Sequence, residues 1–274
     1  MNKISLLFLI LCSNCFTKDI ILTSSDPSKI IIEMIVGASC EVKTIRSSNY
    51  FDLNFEPTAD DIYSSGTSKS LIFLSKSFED WVYDVPSKNK IDISSLISDE
   101  SKIYLNDSNI ADFWWLDPKI IIDIIPKIAD TLSTLYPENA DTFLSNANMS
   151  INQMSILDSY IAGSFKKQFS SPIFEEFPAL LYFAESYNIV YSDFLYFNFA
   201  QRNLGFNNSI IESLNLSKTK EFLSHQSPID STLNELSIKL KFKVLYIDIF
   251  PKPSEDYYGM MKRITNQLKR IYSN

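Results

Sequence analysis

One stretch in the middle of the chain constrains the fold more than any other: "PENADTFLSNANMSINQMSILDSYIAG", residues 137–163. Within it Ala140, Phe143, Ala147, Ile151, Met154, Leu157 and Ile161 recur every three or four residues, the spacing of a single apolar stripe along an α-helix. Pro137 stands where such a helix starts and Gly163 where it ends. About 27 residues at roughly 1.5 Å each make a rod of about 40 Å. The rest of the chain is therefore expected to hang on either side of one rigid strut.

Both flanks read as alternating strand and helix. Ahead of the strut, "DIILTSS" (19–25), "EVKTIRS" (41–47) and "SLIFLS" (70–75) are short β-type runs between helically patterned segments. "SKIIIEMIVGA" supplies the first helix, with Ser28 as its expected cap and Gly37 at its end. Beyond the strut, "SPIFEEF" (171–177), "NIVYSD" (188–193), "KEFLSH" (220–225) and "KVLYIDIF" (243–250) repeat the logic. Such alternation predicts parallel sheets covered on both faces. The expected fold is α/β, two parallel-sheet lobes bridged by one long helix. The boundaries are an export signal over 1–15, a first lobe over 16–135, the connecting helix over 136–165 and a second lobe over 166–274.

Composition removes several function classes. The chain has 274 residues, 45% of them hydrophobic, enough for real cores in both lobes. Its net charge is -8 and its basic residues are scattered, so no electrostatic footprint for a phosphate backbone exists and no nucleic-acid partner is expected. None of the five glycines forms a phosphate-cradling motif. The apolar run from Ile4 to Leu11 follows a single early Lys3; it is too short to span a bilayer and suits an export signal. "LCSNC" places Cys15 where a bacterial lipoprotein signal has its lipid-bearing cysteine, although Asn14 is not the usual small residue. Lipidation at Cys15 leaves Cys40 alone in the mature chain, so no internal disulfide forms.

Three stretches of the first lobe and strut, and two of the second lobe, carry a resemblance. "DLNFEPTADDI" (52–62), "ADFWWLDPK" (111–119), "YPENADTF" (136–143), "FPALLYFAESYNI" (177–189) and "VLYIDIFPKPSEDYYGMMKRITNQL" (244–268) follow one another in the order of a known pattern. Together they resemble the metal-binding solute-binding proteins of ABC importers, the zinc and manganese receptors of the single-backbone-helix type. The resemblance runs from about residue 19 to the C-terminus. It implies capture of a cation between two lobes, small lobe movement on release and delivery to an ABC permease; the residues themselves offer no catalytic constellation, and no enzymatic activity is expected.

Aligned residue by residue, the ligand positions of that family depart from the pattern. The three histidines fall on Leu53, Phe113 and Phe177, and the fourth, acidic ligand falls on Asp248. Leucine and phenylalanine have no lone pair, whereas zinc takes four N, S or carboxylate donors at close to 2 Å. The inherited transition-metal site is expected to be absent, and Phe113 is expected to meet Phe177 across the gap. The carboxylates Asp52, Asp112 and Glu176, each one residue before a lost ligand, form an alternative all-oxygen set with Asp248. Against that set, neighbouring residues in extended chain face opposite ways. The cofactor expectation is accordingly none, or a divalent cation of unknown identity.

The remaining candidates read as structural. Asp248 is expected to be exposed, hydrogen-bonded or cation-bound, because burying it unpaired is costly. His225, the only histidine, is expected at the surface at the end of a strand. Trp114 and Trp115 are read as core or lobe interface rather than a stacking platform. Asp117 and Pro118 read as an N-cap followed by proline at the first helical position, and Pro126 is expected to bend or break the helix that follows. Two functional readings result: an exported, lipid-anchored receptor serving an ABC permease, or an envelope structural or interaction protein that kept the scaffold and lost transport.

Overall fold

The computed structural model describes residues 18–47, 55–105, 110–166, 172–196, 209–216, 221–229 and 231–272. The expectations for the export signal, for Cys15 and for Asp52 and Leu53 lie outside these residues. Two four-stranded parallel sheets are present. The first holds β1 (Asp19–Ser25), β2 (Cys40–Arg46), β3 (Leu71–Phe73) and β4 (Lys90–Asp92) in the order β2-β1-β3-β4. The second holds β5 (Ile173–Glu175), β6 (Tyr191–Phe194), β7 (Glu221–Ser224) and β8 (Lys243–Tyr246) in the order β6-β5-β7-β8. β1 pairs with β2 from Asp19 opposite Cys40 to Ser25 opposite Arg46. In the second sheet Glu175 lies opposite both Phe194 and Leu223. This is the α/β architecture expected from the sequence. The short edge strand β4 was not foreseen, and β8 stops at Tyr246, before the Ile247–Phe250 run that the apolar pattern had included.

Helix α1 (Asp26–Val36) starts earlier than the sequence suggested. Ser25, in extended conformation, is the cap, and Ser28 reaches back to the Ser25 backbone as the third helical residue of a capping box. Its Ile30, Ile31, Ile35 and Val36 are buried. Gly37 ends it at φ 53°, a left-handed conformation open to glycine, and a Cβ there would come within 2.9 Å of Asn146.

The central strut is α4 (Ala140–Ser164), preceded by a 3-10 turn over Pro137–Asn139. Its buried positions, Phe143, Ala147, Ser150, Met154, Leu157 and Ile161, follow the periodicity read from the sequence except that Ile151 is half-buried. Asn146 and Ser150 donate to the carbonyls of Ile35 and Met34 at 2.9 Å each, satisfying the last turn of α1 and seating the first sheet on the strut.

Helix α3 (Pro118–Leu135) runs unbroken through Pro126. The expected break does not occur, because Pro126 lies on the solvent face, where water can hydrate the carbonyl that loses its partner, while Ile121, Ile124, Ile125, Ile128 and Leu132 hold the opposite face in the core. Asp117 caps this helix through the Lys119 amide at 2.9 Å, with Pro118 at its start. One continuous apolar core joins α1, α3, α4, the Phe113–Leu116 turn, the second sheet and α8 (Tyr257–Tyr272).

Candidate functional site

The segment from Ala111 to Leu116 leads from the first lobe into α3 and puts its aromatic side chains inside the protein. Phe113, Trp114 and Trp115 are all buried. Phe113 contacts Phe78 at 5.6 Å and Trp115 at 5.0 Å between ring centroids. Phe78 contacts Trp115 at 5.0 Å and stacks at 6.4 Å on Phe250, which follows the second sheet. The expected meeting of Phe113 with Phe177 is therefore corrected. Among the described ring contacts it is Phe78 that crosses between lobes, because the turn Ser75–Glu79 carries it between Phe113 and Phe250, while Phe177 packs on Tyr196 at 5.6 Å. Each aromatic pair contributes roughly 0.5–1.5 kcal/mol beyond its buried area. Among the described residues the indole nitrogens of Trp114 and Trp115 have no hydrogen-bond partner, and with both side chains fully buried no stacking face is left exposed.

Of the carboxylates beside the equated ligand positions, Asp112 and Glu176 are each engaged within their own lobe. Asp112 accepts hydrogen bonds from Ser77, a very short contact, and from Ser75 at 3.5 Å. Burial raises its pKa to about 6, with the two hydroxyls pulling the other way. Glu176 is fully buried and accepts from Ser224 at 2.9 Å, from the His225 amide at 3.4 Å and from Gln226; burial raises its pKa against the lowering effect of His225. Asp248 is partly exposed. Its Oδ1 accepts from the Phe250 amide at 3.2 Å and its Oδ2 lies 3.7 Å from Nη1 of Arg263. Among the described residues no group of three or more His, Cys, Asp or Glu side chains is gathered in a way that could hold a metal ion.

Sequence reasoning missed several residues that shape this region. His225 is buried rather than at the surface, since Glu175, also buried, pairs with its Nε2 at 2.9 Å. Tyr191 donates to the same carboxylate at 2.5 Å and the Leu180 amide at 3.0 Å. Among the described residues four hydrogen bonds tie the lobes together. Tyr257 donates to the Trp115 carbonyl at 2.8 Å, the Ile103 amide to Tyr182 at 3.0 Å, Ser186 to Asp117 at 2.5 Å and Lys119 to the Ser186 carbonyl at 2.8 Å. These pairs are separated by 67 to 142 residues, so no local pattern announces them. Two grooves flank this contact zone: one of about 340 Å³ between α1 and the 251–256 loop, and one of about 270 Å³ between 100–103 and Tyr182–Ser186.

Comparison with known proteins follows the same outline. The family model for ZnuA, zinc-uptake complex component A periplasmic, matches residues 21–271. A Chlamydia muridarum protein named provisionally as metal-binding is 26% identical over 180 residues, 64% of each chain. The zinc-binding lipoprotein AdcA of Streptococcus pneumoniae serotype 4 is 23% identical over 216 residues, 69% of this chain and 43% of that one. The matches thus span less than two thirds of either relative's length. Among solved structures, the crystal structure of ZnuA superposes with a TM-score of 0.74 at 16% identity, over 93% of this chain and 99% of that one. Streptococcus pneumoniae AdcAII superposes at 0.75 and 17% identity, over 93% and 98%. At such identities these structures show a shared fold.

Proposed function

The chain belongs to the ZnuA family of periplasmic zinc-uptake components, a family of solute-binding proteins of ABC importers rather than enzymes; from that premise we propose an exported receptor whose transition-metal grip is lost. The observation that carries the reading is the chemistry at the equated ligand positions. Phe113 and Phe177 are buried hydrocarbon rings, Leu53 offers no donor, and neither ring can replace an imidazole lone pair. Asp248, the one remaining donor, already faces a guanidinium. A divalent ion roughly 5 Å from that guanidinium meets a repulsion of about 7 kcal/mol at an effective dielectric of about 20, less where water screens it. An all-oxygen site built on Asp52, Asp112, Glu176 and Asp248 has less support, because Asp112 and Glu176 are occupied by serine, amide and backbone donors.

In this reading the export signal is cut immediately before Cys15, Cys15 carries a lipid anchor at the new N-terminus, and the mature chain serves an ABC permease with a solute other than zinc or manganese held by three imidazoles. Elemental analysis of untagged mature protein tests it. Zinc and manganese well below one atom per chain are expected, and either metal near one atom per chain, surviving dialysis, overturns the reading. A solute that does bind raises folded-state stability by about 2.7 kcal/mol at 100 times its dissociation constant, which a thermal-shift screen detects. The second reading, an envelope interaction protein without transport, draws support from the four-ring packing that fills the contact between lobes. It predicts a pulldown that captures no permease and a screen without a shift.

A further inference from the structure

We infer that this chain keeps its own lobes closed: with Phe250 stacked on Phe78, and the Arg263 guanidinium standing at Asp248 in the role of a bound cation, the 248–256 segment stays seated on the first lobe without a solute. Arg263 lies on α8, and its guanidinium reaches that whole segment. Nη1 donates to the Asp248 carbonyl at 2.6 Å, Nη2 to the Phe250 carbonyl at 2.6 Å and to Glu255 Oε2 at 2.8 Å, and Nε to Glu255 Oε1 at 3.0 Å. One planar fork thus neutralises two carboxylates and satisfies two backbone carbonyls, which the single ammonium of a lysine cannot reproduce. The segment so held carries Phe250, whose ring stacks on Phe78 of the first lobe. At the next turn, the start of α8 places Tyr257, buried, on the Trp115 carbonyl. Charge, backbone and ring contacts therefore act on one short stretch, and each is internal to the chain. In a receptor that closes around its solute, the ligand supplies such contacts; here the chain's own side chains supply them.

The inference rests on the reading that no metal is gripped by imidazoles, and the test separates the two. Amide hydrogen exchange of the full mature protein is followed in EDTA and in excess zinc, beside a calorimetric zinc titration of the same sample. Segments 75–80, 113–117 and 248–256 are expected to exchange slowly and equally in both conditions. Arg263→Gln should speed exchange in 248–256 by about tenfold or more, the consequence of losing charge-assisted hydrogen bonds. Arg263→Lys should fall between, and Phe250→Leu should speed 75–80 as well. Exchange in 30–36, within α1, serves as the internal measure that each variant is folded. Zinc that binds without altering exchange defeats the ligand-loss reading and leaves the closed lobes intact. Zinc-induced slowing in all three segments defeats both. Fast exchange of the unaltered chain in those segments, with no zinc bound, defeats the closure inference alone.

Discussion

Glu79 is almost completely buried, and a carboxyl group so placed ties the stability of the fold to pH. Its Oε2 accepts from the Leu74 amide at 2.7 Å, while among the described residues Oε1 has no hydrogen-bond partner. Burial raises its pKa from 4.5 to about 7; the neighbouring Ser25 and Ser24 hydroxyls, the Leu74 amide and the Arg46 charge pull downward without offsetting it. A carboxyl whose folded pKa lies above its unfolded value favours the folded state while it stays protonated. Between pH 4.5 and about 7 the unfolded chain has released a proton that the folded chain retains, so stability falls as pH rises through that window. A shift of about 2.5 units at about 1.36 kcal/mol each gives a loss of roughly 3 kcal/mol by neutral pH. Glu79→Gln keeps the acceptor for Leu74 and removes the titration. Urea unfolding at half-unit steps from pH 4.5 to 8 is the assay. The unaltered chain should lose stability across the window, with Asp112, raised to about 6 by burial, adding to the slope. The variant should lose about 3 kcal/mol less and be the more stable of the two at pH 7.5. Parallel curves for the two proteins would refute the reasoning. Because Glu79 closes the turn that presents Phe78, through its amide on the Ser75 carbonyl at 3.0 Å, the same titration bears on the ring that bridges the lobes.

Three further outcomes are expected. Tyr257→Phe leaves the Trp115 carbonyl buried without its donor, and should cost about 1–3 kcal/mol in urea unfolding while leaving zinc content unchanged. His225→Ala strands the buried Glu175 beside Tyr191, and a loss of about 3–5 kcal/mol is expected; a loss below 1 kcal/mol would show that the pair is not held as described. Restoring imidazoles in the triple variant Leu53→His, Phe113→His and Phe177→His should create zinc affinity measurable by calorimetry, more so with Arg263→Gln added. A folded quadruple variant that takes up no zinc would show that these positions do not correspond to the family's ligands.

What the sequence could reveal depended on the range of the forces involved. The strut was legible because Phe143, Ala147, Met154, Leu157 and Ile161 repeat an apolar period along most of a 25-residue helix, and a stripe that long has one stable solution. Asp117–Pro118 was legible because capping is settled within three residues. Ser28 was misread as a cap since Ser25, Asp26 and Ser28 offer equivalent local chemistry, and only the end of β1 at Ser25 decides among them. The break expected at Pro126 failed for the opposite reason. Its local cost is real, but α3 has five isoleucines buried on one face, at roughly 1.5–3 kcal/mol each when fully buried, and a proline on the wet face cannot outweigh them. His225 was misplaced at the surface and Arg263 escaped entirely, because a polar or charged group gains or loses its burial penalty according to a partner that stands far off in the chain: Glu175 is 50 residues from His225 and Asp248 is 15 from Arg263. The same limit governs the site. Residue type alone was enough to question the metal ligands, since a phenyl ring lacks a lone pair in any fold. That Phe78 rather than Phe177 completes the aromatic contact depends on where a turn between β3 and Glu79 is carried in space, and no periodicity encodes that position.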